Sequence, residues 1–168
     1  EEDKLWNSKF YLPWRWKNHN KFQEKGEWFD SLGNLLAIVF DLAEKSHSDK
    51  ILEHIKKQKI NLPYPVKAIF PPLKKGSKDW QDYFNDCEAR TPFSYLNAGI
   101  WTFIGGFYII ALLKQKQFKE AEQQLEKLAE ANLKGNFSEW LNGKTGKPIS
   151  KANENQAWNA GMFLLAHE

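Results

Sequence analysis

The segment 100–113 (IWTFIGGFYIIALL) constrains the fold more than any other part of the sequence, because it is apolar on every side of a helix. A helix without a polar face is stable in water only when neighbouring elements bury it all round. Gly105 and Gly106 lie inside it, and each costs about 1 kcal/mol relative to Ala. Close packing of a neighbouring helix against these glycines would offset that cost. We therefore predict a buried helix over 100–114.

The same order of elements occurs twice and begins a third time. A polar, aromatic loop leads into an apolar helix, and a short turn then leads into a helix with one polar face, over 27–58 and again over 93–132. Apolar residues recur at helical spacing in these segments. The predicted inner helices are 31–45, 100–114 and 154–166, and the predicted outer helices are 49–58 and 118–132. Alternating inner and outer helices are typical of an all-α fold, the α/α toroid.

The chain 1–168 is predicted to be a single region with two unlike parts. Residues 1–30 are rich in aromatic side chains but show no helical period, so we expect a loop segment, whereas 31–168 should form helical hairpins. Between the first two pairs of helices, residues 60–77 contain four prolines. Helix cannot continue through that density of proline, and this stretch is predicted to be a long ordered loop followed by a short helical turn over 79–84.

Charge and composition exclude several classes of protein. The chain has 24 basic and 21 acidic residues and a net charge of +3, without the concentrated positive charge of a nucleic-acid-binding protein. Its single cysteine, Cys87, cannot form a disulfide within the chain, and the four histidines share no metal-ligand spacing. The most apolar run is shorter than the ~20 residues that span a bilayer. We expect a soluble, cytoplasmic protein that binds no metal, nucleic acid or membrane.

Three loops that lead into inner helices combine carboxylates or amides with Trp. Amides and carboxylates bind sugar hydroxyls, and the faces of Trp rings pack on sugar rings. Glycoside hydrolysis needs two carboxyl groups across the scissile bond, and Glu139 is the candidate for one of them because Phe137 and Trp140 could desolvate it. The candidate substrate-binding residues are Asp30, Asn97, Trp101, Trp140, Gln156 and Trp158. No metal or organic cofactor is expected, because acid–base hydrolysis needs only water.

Simpler roles compete with these assignments. Asp30 and Asn97 are good helix caps, Trp101 and Trp158 could be core residues, and Glu139 taken alone would be an ordinary surface residue. Two other functions also fit the pattern of helices. One is a non-catalytic helical scaffold that binds a protein partner, and the other is a carbohydrate-binding protein of the same fold that has lost catalysis.

Four runs resemble, in order and rough spacing, motifs of the neutral/alkaline invertase family. They are 30–35 (DSLGNL), 95–101 (YLNAGIW), 138–143 (SEWLNG) and 156–161 (QAWNAG). Related toroid enzymes, the amylo-α-1,6-glucosidases and the glucosidase/mannosylglycerate hydrolase group, are similar. The resemblance covers about residues 27–166.

The resemblance implies an (α/α)6 barrel of the six-hairpin glycosidase type, present here as a C-terminal part with about five helices. It also implies an inverting reaction in which Glu139 is the general base and the general acid is an Asp upstream of Glu1. Such a chain would be inactive alone and would need the missing N-terminal part of the same domain or a homo-oligomer partner. The family motif carries His and Pro where this chain has Leu96 and Thr102, so the resemblance does not fix sucrose as the small carbohydrate substrate.

Overall fold

The computed structural model describes residues 5–16 and 25–168. Within these residues the chain forms five α-helices and one two-stranded antiparallel sheet. The helices are α1 (Ser31–Val39), α2 (Lys45–Lys57), α3 (Thr102–Lys114), α4 (Phe118–Lys134) and α5 (Ala157–His167). The strands are β1 (Phe29–Asp30) and β2 (Ile69–Phe70). Residues 5–16 and 25–28 contain no helix, and the loop predicted over 1–4 and 17–24 lies outside the described residues.

Helix α3 is the central element of the structure. It contacts α1, α4 and α5, and its side chains are buried or partly buried until the last turn. A Cβ atom added to Gly105 would collide with the carbonyl oxygen of Pro65, and one added to Gly106 would meet the backbone of α5 at Met162. The prediction that this helix is buried, and that its glycines allow close packing, is therefore confirmed.

Helices α2 and α4 each bury one face and expose the other, as predicted for the outer layer. The buried face of α2 consists of Ser48, Ile51, Leu52 and Ile55, whereas its Lys and Glu side chains face solvent. The two helices are joined at their surface by Lys56, whose Nζ lies 2.8 Å from Gln117 Oε1 and 3.6 Å from Glu120 Oε2.

The boundary between α1 and α2 differs from the prediction. Apolar residues continue at helical spacing to Ala43, but α1 ends at Val39 because Asp41 adopts a left-handed conformation with φ of 58°. Asp tolerates that conformation better than most residues. α2 then begins at Lys45, four residues before the predicted start. Within its first turn, the hydroxyl of Ser48 donates to the carbonyl of Glu44 at 3.1 Å.

The proline-rich segment is an ordered loop that connects the starts of α1 and α3. Val66 is fully buried, and its carbonyl accepts a hydrogen bond from the backbone N–H of Trp101 at 3.2 Å. β2 belongs to this loop and pairs with β1, immediately before α1. The predicted helical turn over 79–84 is displaced to two short 3₁₀ helices, Asp82–Asp86 and Glu88–Arg90.

Large apolar side chains remain exposed on two of the inner helices or next to them. Phe40 and Leu42, just after α1, are 66% and 77% exposed, and Leu164 in α5 is 62% exposed. A closed toroid would bury such side chains against the next helical pair.

In the described part of the chain, no helix combines the length and apolar character needed to cross a membrane.

Candidate active site

The N-terminal ends of the three inner helices lie together. The backbone N–H of Ser31, at the start of α1, donates to the carbonyl of Ala68 at 3.0 Å, and Ala68 N–H donates to Gly99 just before α3 at 2.8 Å. In the first turn of α3, Phe103 N–H donates to the side-chain oxygen of Asn159, in the first turn of α5, at 3.1 Å. The loops that precede the inner helices therefore meet at one end of the helix layer.

A cavity of about 350 Å³ lies at this end, between the starts of α1 and α3. Its wall includes three of the seven candidate site residues, namely Asp30, Asn97 and Trp101. The rest of the wall is aromatic or aliphatic and includes Trp28, Leu32, Leu73, Phe84, Leu96 and Phe103. Leu96, in this wall, is the position at which the resemblance described above implies His in the family.

Asp30 caps α1 and also lines the cavity. Its Oδ2 accepts a hydrogen bond from the backbone N–H of Gly33 at 3.0 Å, so the helix-cap role considered from the sequence is confirmed. Burial raises the pKa of the Asp30 carboxyl above its ordinary value of 3.8, although the backbone N–H groups of Gly33 and Leu32 partly oppose that rise. Asp30 therefore combines a structural role with a desolvated carboxyl group at the cavity.

Asn97 does not cap α3, because the residue at that position is Trp101. The Asn97 side chain is buried, and its Oδ1 accepts from Leu73 N–H at 2.7 Å. Its Nδ2 donates to the carbonyls of Leu73 and Ala89 at 3.0 and 2.8 Å. These bonds fasten the proline-rich loop and the second 3₁₀ helix to the start of α3. Trp101 is also buried, and its indole N–H donates to the carbonyl of Tyr95 at 3.1 Å.

Glu139 lies near the start of α3, outside the cavity wall. Two residues after it, Leu141 exchanges two backbone hydrogen bonds of 2.9 Å with Ile100, the residue before Trp101. The Glu139 side chain is partly exposed, and its Oε2 accepts from Asn153 Nδ2 at 3.3 Å. Its backbone N–H also donates to the carbonyl of Asn153 at 2.6 Å.

A row of aromatic rings connects the Glu139 loop with the cavity. Trp140 is 2% exposed, and its ring centroid lies 6.2 Å from that of Tyr95. The Tyr95 ring lies 5.3 Å from Trp101, and Trp101 lies 6.0 Å from Phe103. At the other end of the row, Trp158 is 49% exposed and lies 6.3 Å from Phe103, so it is not a plain core residue.

Gln156 stands at the N-terminus of α5. Its backbone N–H donates to the carbonyl of Phe137 at 2.9 Å, and its side-chain Nε2 donates to the carbonyl of Glu154 at 3.3 Å. It thereby joins α5 to the loop that carries Glu139.

Sequence reasoning missed two features of this region. Asn159 is fully buried, and its Nδ2 donates to the carbonyl of Ser138 at 2.8 Å, so one side chain joins α3, α5 and the Glu139 loop. The lining residues Tyr83 and Phe84 come from the first 3₁₀ helix. The QAWNAG run contained Asn159, but its bonds depend on long-range packing that no local pattern reveals.

Comparison with known proteins decides the family. The sequence profile of the alkaline and neutral invertases matches residues 22–168. The chain belongs to the alkaline and neutral invertase family. The matched part of this invertase-family chain contains the cavity, the Glu139 loop and all three inner helices.

Plant members of the family are similar to the chain in amino-acid sequence. Probable alkaline/neutral invertase F of Arabidopsis thaliana is 32% identical over 144 residues, which are 83% of this chain and 28% of that protein. Cytosolic invertase 1 of Oryza sativa subsp. japonica is 27% identical over 142 residues, 83% of this chain and 25% of that protein. This invertase-family chain therefore spans about a quarter of the length of these relatives.

The solved structure of GH63 mannosylglycerate hydrolase from Thermus thermophilus in complex with glucose shares the fold. It superposes with a TM-score of 0.63 at 12% sequence identity, over 84% of this chain and 32% of that chain. The complex of that enzyme with Tris and D-glycerate gives a TM-score of 0.62 over 31% of its chain. The five helices are thus part of an (α/α)6 toroid, as the sequence predicts.

Proposed function

We propose that this chain is part of an inverting glycoside hydrolase that acts on a small α-linked glycoside or a sucrose-like sugar, with Glu139 as the general base. One observation carries the proposal. The pairing of Leu141 with Ile100 holds the Glu139 loop beside Trp101, at the end of the inner helices where the cavity lies. A carboxylate near a cavity whose wall combines aromatic rings with the Asp30 carboxyl, which could bind a sugar hydroxyl, suits one half of the acid–base pair of a glycoside hydrolase.

In the proposed reaction, the Glu139 carboxylate takes a proton from a water molecule while the water oxygen attacks the anomeric carbon. The bond between that carbon and the glycosidic oxygen breaks, and a general acid gives its proton to the leaving oxygen. Attack from the face opposite the leaving group inverts the anomeric centre, and the two carboxyl groups then lie ~6.5–9.5 Å apart. We assign the general acid to an Asp upstream of Glu1.

The other candidate residues would shape the substrate pocket. Trp101, Trp140 and the half-exposed Trp158 would pack against sugar rings. Asp30 would accept a hydrogen bond from a sugar hydroxyl. Asn97 would act by holding the cavity wall, because both hydrogens of its amide are used by backbone carbonyls. Gln156 would position the loop of the general base.

The proposed partner is the rest of the same toroid or, failing that, a second copy of the chain. Phe40, Leu42 and Leu164 are largely exposed, and helices packed on either side would bury them. We retain the cytoplasm as the proposed location.

The change Glu139→Gln in the complete enzyme tests the mechanism. Gln keeps the size and hydrogen bonding of the side chain but cannot accept the proton, so turnover of α-glucosides or sucrose should fall by ~10²–10⁴-fold. Substrate binding should persist, because an amide still binds hydroxyls. The matched control is Glu126→Gln on the exposed face of α4, which should leave the rate unchanged.

Three results would contradict parts of the proposal. An unchanged rate in Glu139→Gln would remove Glu139 from the mechanism. Turnover by the 168-residue chain alone, abolished by Asp30→Asn, would move the general acid to Asp30. Sugar binding by the complete protein without turnover of any glycoside would favour a carbohydrate-binding protein.

A further inference from the structure

The segment 144–155, which we call the return loop, runs back to α5 and folds over the loop of the proposed general base. Leu141, after the base, forms an antiparallel bridge with Pro148. Before the base, the carbonyl of Asn136 accepts a hydrogen bond from Asn155 N–H at 3.0 Å. The return loop is therefore fastened on both sides of the proposed general base.

The return loop also packs on the hydrophobic core. Ala152 is buried in the largest core cluster, and the partly buried Ile149 packs against the same cluster. The backbone turns between them, because Ala152 N–H donates to the carbonyl of Ile149 at 2.9 Å. Asn153 follows directly after Ala152, so its backbone is held in place although its side chain is exposed.

Asn153 contacts Glu139 at two points. Its backbone carbonyl accepts from Glu139 N–H at 2.6 Å, and its side-chain Nδ2 lies 3.3 Å from Glu139 Oε2. The second distance is at the long end of the range for N–H···O bonds, as is common for catalytic hydrogen bonds before substrate binds. A carboxylate accepts hydrogen bonds through both oxygens, so an amide that holds Oε2 leaves Oε1 to take the proton from water.

We infer that Asn153 is a positioning residue of the proposed hydrolase, whose side-chain amide holds Glu139 Oε2 and thereby fixes the orientation of the general base. The inference rests on the proposed function, because it adds a residue to the same reaction. Orientation matters because a general base works only within hydrogen-bond reach of the proton that it takes. Asn153 acts through Glu139 rather than on the substrate, so its loss should lower kcat and leave KM unchanged.

The variant Asn153→Asp separates the hydrogen bond from the shape of the side chain. Asp has nearly the same size as Asn, but its carboxylate has no hydrogen to donate and repels Glu139. In the complete enzyme, kcat for sucrose or the best α-glucoside should fall at least ~10-fold in Asn153→Asp and at least ~5-fold in Asn153→Ala. KM should stay within ~2-fold in both. Asn153→Gln keeps the amide donor and should retain more activity than either, whereas a role in shape alone would make Asn153→Ala the slowest variant.

The matched control is Asn155→Asp, which adds the same charge at an exposed position of the return loop. Asn155 has a φ of 58°, which Asp also tolerates. Its kcat should stay within ~2-fold of the unaltered enzyme, because solvent and salt screen an exposed charge. Circular dichroism verifies that all variants are folded.

A double variant tests whether Asn153 acts through the general base. Adding Asn153→Ala to Glu139→Gln should cause no further loss of kcat, because a residue that only positions Glu139 then has no base to position. A loss equal to that in the unaltered enzyme would overturn the inference. Equal kcat values in Asn153→Asp and Asn155→Asp would also overturn it.

The contact itself is measured by NMR of the complete protein labelled with ¹⁵N-asparagine. Glu139→Gln should shift the side-chain amide resonances of Asn153, and Glu126→Gln, on the exposed face of α4, should leave them in place. Unshifted resonances in Glu139→Gln would overturn the inference whatever the activity. Failure of the proposed function gives a different result, in which the resonances shift but the complete protein hydrolyses no glycoside or Glu139→Gln keeps the full rate.

Discussion

The side-chain oxygen of Asn159 accepts a hydrogen bond from the backbone N–H of Phe103 at 3.1 Å, which joins the first turn of α5 to the first turn of α3. The amide nitrogen of Asn159 donates to the carbonyl of Ser138. One buried side chain therefore fixes two inner helices and the loop of the proposed general base. The N–H groups in the first turn of a helix have no partner within that helix, so this bond also satisfies a donor that would otherwise be buried and unpaired.

Buried asparagines recur at the starts of the other inner helices. In α1, Asn34 donates to the carbonyl of Tyr11 at 2.9 Å and accepts from Tyr11 N–H at 2.8 Å, which fastens the N-terminal loop. Before α3, Asn97 fastens the loop that carries Leu73. Each amide supplies both donors and an acceptor, so it can hold a non-repetitive loop against a helix end.

The variant Asn159→Ala should lower the free energy of unfolding by about 2–3 kcal/mol. It leaves Phe103 N–H and the carbonyl of Ser138 without partners in a buried environment, and each such group costs about 1–3 kcal/mol. Urea denaturation followed by circular dichroism measures the change.

The control for this variant is Asn153→Ala, at an exposed position, where the loss should be below about 0.5 kcal/mol. Equal losses in the two variants would mean that Asn159 does not hold the helices together.

The layering of the helices was predictable because it depends on local pattern. A segment without charged residues, such as 100–113, has no side that can face water, and the alternation of polar and apolar residues in α4 assigns one face to the interior. The repeated order of loop and helix along the chain also accounts for the position of the loops before the inner helices, which meet at one end of the layer.

The cavity and the roles of its residues were not predictable in the same way. Leu73 reaches the cavity from the proline-rich loop and Phe84 from the first 3₁₀ helix, and the paths of both segments are set by contacts far apart in sequence. Asn97 was expected near a helix start, but its choice between capping α3 and fastening the loop at Leu73 depends on where that loop passes. Helix α1 ends before its predicted boundary because Asp41 adopts a left-handed backbone conformation. The spacing of apolar residues gives no information about that conformation.

Two Gly→Ala variants should change stability in opposite directions. A Cβ atom at Gly143 would overlap the carbonyl oxygen of Ala98, whereas one at Gly161, in α5, would meet no atom within 4 Å. Gly143→Ala should therefore cost about 1–3 kcal/mol, the usual range for overpacking. Gly161→Ala should stabilise the chain by about 0.5–1 kcal/mol, because Ala favours helix.

Thermal unfolding of both variants, monitored in one buffer, measures these changes. A stabilising Gly143→Ala would show that the 92–100 loop and the Glu139 loop do not pack as closely as the structure indicates.

The variant Asp30→Asn should reveal the buried carboxyl group through the pH dependence of stability. Burial raises the pKa of Asp30 in the folded state above its ordinary value of 3.8, so between these two pKa values the unfolded chain has released a proton that the folded chain still holds. Stability therefore falls as pH rises through this window, because the folded state must accommodate a desolvated carboxylate. Asn cannot ionise and caps helices about as well as Asp, so the variant should lack this fall.

Urea denaturation of both proteins between pH 3 and pH 7 should give a difference in unfolding free energy that shifts in favour of Asp30→Asn as pH rises. A difference that stays constant across that range would mean that burial does not raise the pKa of the Asp30 carboxyl above its ordinary value.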